Sequence, residues 1–217
     1  MCKVWITRTN PAAQESAEVW RDAGFEPLVA PLLGIESVRH EAISKDAVLI
    51  FTSKNAIDHV TCNGQRAICV GDATADKARG AGFSDVISVD GTSADVTQWV
   101  LAHLPNSQPI CHVSGWHVRG AIAEDLQRAG YSADRVKVYR STPQLIWPDE
   151  PVSLAALYSP LAAATFARVA ADRDISAVSV VCISPAAANP LSDLKLKSVS
   201  IAAHPREDEL IMAVKSA

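Results

Sequence analysis

Apolar residues along this chain fall into short runs that end at hydroxyl residues and hand over to a helical spacing. The clearest run is Val48-Leu49-Ile50-Phe51, which stops at Thr52-Ser53 before Ala56, Ile57 and Val60 take up a helix-like period. A run this short, with β-branched members and no polar alternation, predicts a strand buried on both faces, as in parallel sheets. Thr52 or Ser53 is then the expected N-cap, its hydroxyl beside the free N–H groups of the following helix. Such a hydroxyl can serve backbone donors alone. In open α/β sheets, however, the carboxyl edge of the strands is also where ligands bind.

The same unit recurs along the chain. Lys3 to Thr7 predicts a strand, and Ala13, Ala17 and Trp20 form one buried helical stripe closed by Gly24 in the left-handed C′ position. The run Glu26 to Val38 is extended, and Pro27 and Pro31 suit an edge strand or a departing linker. After the Val48 strand, Arg66 to Val70 leads into Gly71-Asp72-Ala73-Thr74-Ala75, whose helix is closed by Gly80 and Gly82. Val86 to Val89 then precedes Gly91-Thr92-Ser93 and a helix carrying Val96, Trp99, Val100 and Leu104. Ile110 to Val113, Ser114-Gly115 and a helix on Ile122, Leu126 and Ala129 repeat the first unit, with Gly130 in the place of Gly24, 106 residues on. Leu154 to Ser159-Pro160 repeats the Thr52-Ser53 turn. Val178 to Ser184-Pro185 echoes the Gly71 turn, and Val199 to Glu207 echoes the Gly91 turn. Pro190 should break the helix after Ser184 within little more than a turn.

The order is A-B-C-A′-B′-C′, an internal duplication. Alternating strands and helices with right-handed crossovers predict α/β architecture: parallel sheets whose strand-to-helix turns share one edge. About five strands per half suffice for two small doubly wound domains. The 217 residues are comfortable for two, and the Pro-rich stretches 27–31 and 143–151 are candidate linkers.

Composition narrows the function classes. A hydrophobic content of 48% is that of a folded chain, and no apolar run approaches the roughly 20 residues of a membrane span. With no leader pattern at the start, a soluble cytoplasmic protein is expected. The five cysteines are odd in number, lack a CxxC pair and lie partly in apolar runs, so neither a disulfide framework nor a zinc site is expected. His112 and His117 lack partners for a metal centre. A net charge of −4 with scattered basic residues excludes a general nucleic-acid binder. There is no GxSxG elbow, Walker A lysine, HExxH, GxGxxG or paired carboxylate at a strand end.

What recurs is a hydroxyl beside a helix N-terminus: Thr52-Ser53, Thr74, Thr92-Ser93, Ser114, Ser159-Pro160 and Ser184-Pro185. About six such turns suit a ligand with several negative groups around its perimeter, held mainly by orientation and electrostatics. Arg8, Lys54 and Arg119 are the nearby cations.

These patterns together resemble the uroporphyrinogen-III synthase family over nearly the whole chain. The matching pieces, in order, are Ile6-Thr7-Arg8; Leu49 to Ser53 with Asn55-Ala56; Val70-Gly71 through Thr74-Ala75; Gly115, Arg119, Leu126, Gly130 and Val138-Tyr139; Leu157 to Pro160; and Ile183 to Pro185. The resemblance implies two α/β domains on a two-stranded linker, with a ligand cleft between them. The first domain would be discontinuous, 1–35 with 143–217, around an inserted domain of 36–142. It implies cyclisation of linear hydroxymethylbilane with loss of water and inversion of the last pyrrole, and no cofactor or metal. Thr52, Ser53, Thr74, Ser93 and Ser159 would donate to substrate carboxylates, and Arg8, Gly115, Arg119, Pro160 and Ser184 would complete the binding set. Tyr139 is the implied catalytic residue, assisting departure of the hydroxyl; a phenol with a pKa near 10 acts first as an orienting donor. A monomer, in transient contact with neighbouring pathway enzymes, is expected.

Two departures stand out. Where the family pattern reads Gly-Pro-Thr-Thr-Ala-Arg, this chain has Ser184-Pro185-Ala186-Ala187-Ala188-Asn189, and Lys54 replaces a small or polar residue. A non-catalytic two-domain protein that closes on an anionic small molecule, or a diverged domain with a regulatory use, therefore stands beside the synthase reading.

Overall fold

A computed structural model describes residues 2–118 and 120–216. In chain order its first elements are β1 (Lys3–Ile6), α1 (Ala12–Asp22), β2 (Glu26–Val29), β3 (Leu33–Ser37), β4 (Val48–Phe51) and α2 (Lys54–Ile57). Next come β5 (Arg66–Cys69), α3 (Asp72–Gly80), β6 (Ser84–Ser88), α4 (Ser93–His103), β7 (Ile110–Gly115) and α5 (Ile122–Arg128). The rest are β8 (Ala133–Pro143), β9 (Leu154–Leu157), α6 (Pro160–Ala170), β10 (Ser179–Cys182), α7 (Pro185–Ala188), a 3-10 turn (Asn189–Leu191), β11 (Ser198–Ile201) and α8 (Glu207–Lys215).

These elements separate into two compact units. One comprises the residues up to Gly34 together with those from Thr142 onward; the other is Ile35–Ser141. Each is built around its own sheet, β11-β10-β9-β1-β2 in the first and β3-β8-β7-β4-β5-β6 in the second. The run Glu26 to Val38 is thus two strands in different sheets, with Pro27 on edge strand β2, where no ladder donor is needed from it.

Within each sheet the same five-strand order recurs. In the second unit β4, β5 and β6 step outward in one direction and β7 and β8 in the other, all parallel. In the first, β9, β10 and β11 step one way, and β1 and β2 occupy the opposite side. This is the doubly wound order, whose reversal lies between β4 and β7 in one unit and between β9 and β1 in the other. Ligands bind at the carboxyl edge of such reversals.

Helices cover both faces of each sheet. In the second unit Leu49 and Phe51 pack with Ala56, Ala75 and Ala78, while Val48 and Ile50 pack with Val96, Val100, Ile122 and Leu126. In the first, Trp5 and Leu157 pack with Phe166 and Ala187, while Val4, Ile6 and Ala156 pack with Trp20, Leu210 and Ile211. The central strands β4, β7 and β9 are buried throughout, which is why their sequences do not alternate. Each large side chain sealed in this way, such as Phe51 or Trp20, contributes about 2–3 kcal/mol. Gly24 ends α1 at φ +91°, where the N–H of Phe25 reaches back to the carbonyl of Trp20. α7 lasts four residues before the turn containing Pro190.

Candidate active site

At the reversal of the second unit, Thr52 and Ser53 leave the end of β4 and take different roles. Ser53 is the N-cap of α2, in extended conformation, and its Oγ accepts from the N–H of Asn55 at 3.3 Å. Thr52 Oγ1 instead lies 3.2 Å from Nε2 of His112 on the adjacent strand β7. His112 is 1% exposed. Burial, and secondarily the Arg135 guanidinium, push its pKa down to about 4, so the imidazole is neutral at pH 7.

Two residues beyond the apolar run of β7, the backbone comes up against an aromatic ring. A Cβ on Gly115 would lie 2.6 Å from Cζ and 2.9 Å from the hydroxyl oxygen of Tyr139, so only glycine admits this approach. Tyr139 is on the paired strand β8, is 9% exposed, and its carbonyl accepts from the N–H of Trp116. Its ring stacks on His59, with centroids 5.6 Å apart and planes at 24°. Ser114 lies inside β7, where its Oγ accepts from Arg135 Nε at 2.8 Å, and α5 begins only at Ile122. The expectation of Ser114 at a helix N-terminus is thereby corrected: the strand runs on to Gly115 because Ser114 and Gly115 pair with Lys137 and Tyr139.

The other expected hydroxyls of this unit take different places within the first turns of their helices. Gly71, not Thr74, caps α3; Thr74 is the third helical residue and buried. Thr92, not Ser93, caps α4, in a capping box that holds the Asp95 carboxyl below its usual range through hydrogen bonds from Thr92. Ser93 is the first helical residue, and a Cβ on Gly120 would meet its own Cβ at 2.9 Å. Arg119 lies outside the described residues.

The reversal in the first unit is built differently. Thr7, just past β1, donates its buried hydroxyl to the carbonyl of Ala156 at 2.6 Å. Arg8, an expected substrate-binding residue, has its guanidinium 3.1 Å from Glu207 and donates to Ser16 Oγ at the same distance. Glu207 also accepts from Ser16 Oγ at 2.9 Å, Trp20 Nε1 at 2.7 Å and the Tyr158 hydroxyl at 2.5 Å. The Arg8 guanidinium lies 4.9 Å from the Tyr158 ring centroid. Burial, then the Glu207 charge, raise the Tyr158 pKa far above that of a free phenol. Ser159 caps α6 by accepting from the N–H of Ala162 at 3.1 Å, with Pro160 at the first helical position. Ser184 precedes α7 without capping it, and its buried Oγ has no partner among the described residues.

Hydroxyl caps are therefore realised at Ser53, Thr92 and Ser159. Among the described residues no group of three or more His, Cys, Asp or Glu is placed to hold a metal. Three thiols are buried and pushed well up, Cys69 and Cys111 to about 11 and Cys182 to about 12, so none is a ready nucleophile. Sequence reasoning missed His59 and Glu207 as parts of these edges and weighed His112 only as a metal ligand. A histidine inside the run Ile110 to Val113 did signal a buried polar group in need of a partner. Nothing local marked His59, which meets Tyr139 across 80 positions of chain.

Two doubly wound sheets, each with a polar reversal edge, define a class of two-unit α/β proteins to which solved structures can be compared. The uroporphyrinogen-III synthetase from Helicobacter pylori 26695 shares the fold, with a TM-score of 0.66 at 16% identity over 99% of this chain and 98% of that one. A mutant uroporphyrinogen III synthase from the extremely thermophilic bacterium Thermus thermophilus aligns over 100% of this chain and 98% of that one at 16% identity, with a TM-score of 0.49. No curated protein matches by sequence. The family model described as uroporphyrinogen-III synthase HemD matches residues 14–212, and the chain belongs to that family.

Proposed function

We propose that this chain cyclises linear hydroxymethylbilane to uroporphyrinogen III, with loss of water and inversion of the last pyrrole ring. Family membership supports the reaction. The observation that carries the assignment of roles is the Tyr139 phenol lying against Gly115 at the reversal edge of the second unit. The ring is stacked by the His59 imidazole, whose pKa burial lowers, and among the described residues no carboxylate is hydrogen-bonded to the phenol. That suits a substrate whose own electron-rich pyrroles drive ionisation.

In this reading Tyr139 donates a hydrogen bond to the departing hydroxyl. The C–O bond breaks, the hydroxyl leaves as water with one proton, and the pyrrole N–H gives up a proton in turn, so that net loss of water generates an azafulvene. The substituted carbon of the last ring attacks this electrophile to give a spirocyclic intermediate, and fragmentation and reclosure invert that ring. Thr52, Ser53, Thr74, Ser93 and Ser159, with neighbouring backbone N–H groups, hold substrate carboxylates. Arg8, Gly115, Arg119, Pro160 and Ser184 complete the binding set. The working division is two domains, 1–35 with 143–217 and 36–142. Holding the chain ends of a flexible bilane near attack distance removes much of the entropic barrier, which can be worth several kcal/mol.

The test is incubation of the purified chain with freshly generated hydroxymethylbilane. The type III isomer should form without added cofactor. Only the type I isomer, the product of spontaneous closure, would overturn the assignment.

A further inference from the structure

Tyr139 has a neighbour that the reaction scheme does not use. His59 follows α2 by two residues, and its ring stacks on Tyr139 at 5.6 Å and 24°. Two contacts fix where that imidazole sits. Its Nδ1 lies 2.8 Å from Ser37 Oγ at the end of β3, and its own carbonyl lies 3.3 Å from Nε2 of His40. The phenol is therefore bounded by Gly115 at its hydroxyl end and by a tethered ring on its face.

An aliphatic side chain could cover the same ring with no polar group to desolvate. A histidine in this place brings a cost, because burial lowers its pKa; Lys77 and the nearby His40 act in the same direction and Asp58 against it. What the imidazole adds over an aliphatic group is directionality: a flat ring for stacking and a nitrogen that pins that ring to the backbone-anchored Ser37. Orientation is also what Tyr139 needs, since misplacing a reacting group by about 1 Å can cost on the order of 100-fold in rate.

We propose that His59 is a positioning residue for the cyclisation: its imidazole, pinned to Ser37, fixes the plane of Tyr139 so that the phenol hydroxyl stays against Gly115 at the strand edge. This rests on the role given to Tyr139 above. His59 itself touches no reacting atom. It acts through the ring it stacks on, so its contribution should vanish when the hydroxyl it positions is absent.

The experiment is a double-mutant cycle on the full chain, with kcat and KM for hydroxymethylbilane and urea midpoints measured for His59→Ala, His59→Phe, Tyr139→Phe and His59→Ala/Tyr139→Phe. His59→Ala should lower kcat by about 10-fold with KM within about two-fold. His59→Phe, which restores a flat ring, should recover most of that loss. In the Tyr139→Phe background, His59→Ala should change kcat no further. Should His59→Ala fail to fold, Ser37→Ala takes its place, with a smaller fall in kcat expected and an unchanged kcat counting against the proposal. A reduced kcat in Tyr139→Phe alongside an unchanged kcat in His59→Ala overturns the role of His59 alone, as does a double mutant whose loss is the product of the single losses. An unchanged kcat in Tyr139→Phe overturns the Tyr139 reading and takes this proposal with it.

Discussion

The two reversal edges have the same strand order and very different polar contents. In the first unit a carboxylate sits at the centre: Glu207 gathers Arg8, Ser16, Trp20 and Tyr158, four groups from one helix and two strand ends. In the second unit, the hydrogen bonds described at the equivalent edge, those of Thr52, Ser53 and Ser114, involve no carboxylate. It holds Thr52 against a neutral His112, and a tyrosine ring against a glycine and a stacked histidine. The duplicated framework thus carries one edge whose polar groups satisfy one another and one whose phenol is held by packing. The first arrangement is suited to stability and the second to chemistry. The donors that ring-fence the Glu207 carboxylate are spent on it, whereas the phenol packed against glycine is the group proposed above to donate to substrate.

The largest effect that would sharpen this contrast is expected from Gly115→Ala. The added methyl would fall 2.6 Å from Tyr139 Cζ, so the ring must move. Turnover should fall by about 100-fold, with a stability loss of about 1–3 kcal/mol from overpacking. Steady-state kinetics beside urea unfolding separates the two, and near-normal turnover would show that the ring position is irrelevant.

Next in size is Glu207→Gln, which keeps the shape but removes the charge. Hydrogen bonds to a charged partner contribute about 1.5–3 kcal/mol, so the first unit should lose about 2–3 kcal/mol while kcat per folded molecule changes by less than about three-fold. A large fall in kcat at unchanged stability would place the chemistry at the other edge.

A pH effect on the second edge comes from His112. Its folded pKa of about 4 lies below the unfolded value of about 6.5, so its neutral form is favoured by folding. The associated stability, on the order of 3 kcal/mol, is fully present above pH 6.5 and is lost as pH falls through about 4. Urea midpoints measured from pH 7 to pH 4 should therefore decline less steeply in His112→Gln than in the parent chain. Identical slopes would mean that His112 is not buried neutral.

Much of the fold was legible because its signals are local. The unbroken apolar runs at Val48 and Leu154 could only be central strands, and the 13, 17, 20 spacing with Gly24 set the extent of α1. Pro190 truncated α7 as its missing donor requires. At the edges the sequence was readable only to within a residue or two. Ser53 and Ser159 stand at the same offset from their strands and both cap, but whether Thr92 or Ser93 caps depends on which one meets Asp95. Ser114 was misplaced because its strand is extended by pairing with β8, which has no signature in the run itself. The Glu207 cluster joins Arg8, Trp20 and Tyr158 across stretches of 49 to 199 residues, and no periodicity reports such contacts. Read alone, Glu207 was an acidic residue in the first turn of a helix, welcome to the helix dipole.

The contrast between the edges reduces to two tyrosines, and one paired measurement decides it. Tyr139→Phe and Tyr158→Phe each remove a single hydroxyl, one held against Gly115 and one hydrogen-bonded to Glu207. Turnover of hydroxymethylbilane and the urea midpoint should be measured for both. The account predicts that Tyr139→Phe loses at least about 10-fold in kcat with a midpoint close to the parent's, and that Tyr158→Phe loses about 1.5–3 kcal/mol of stability with kcat per folded molecule retained. The reverse pattern, a stable but slow Tyr158→Phe and a fully active Tyr139→Phe, would contradict it.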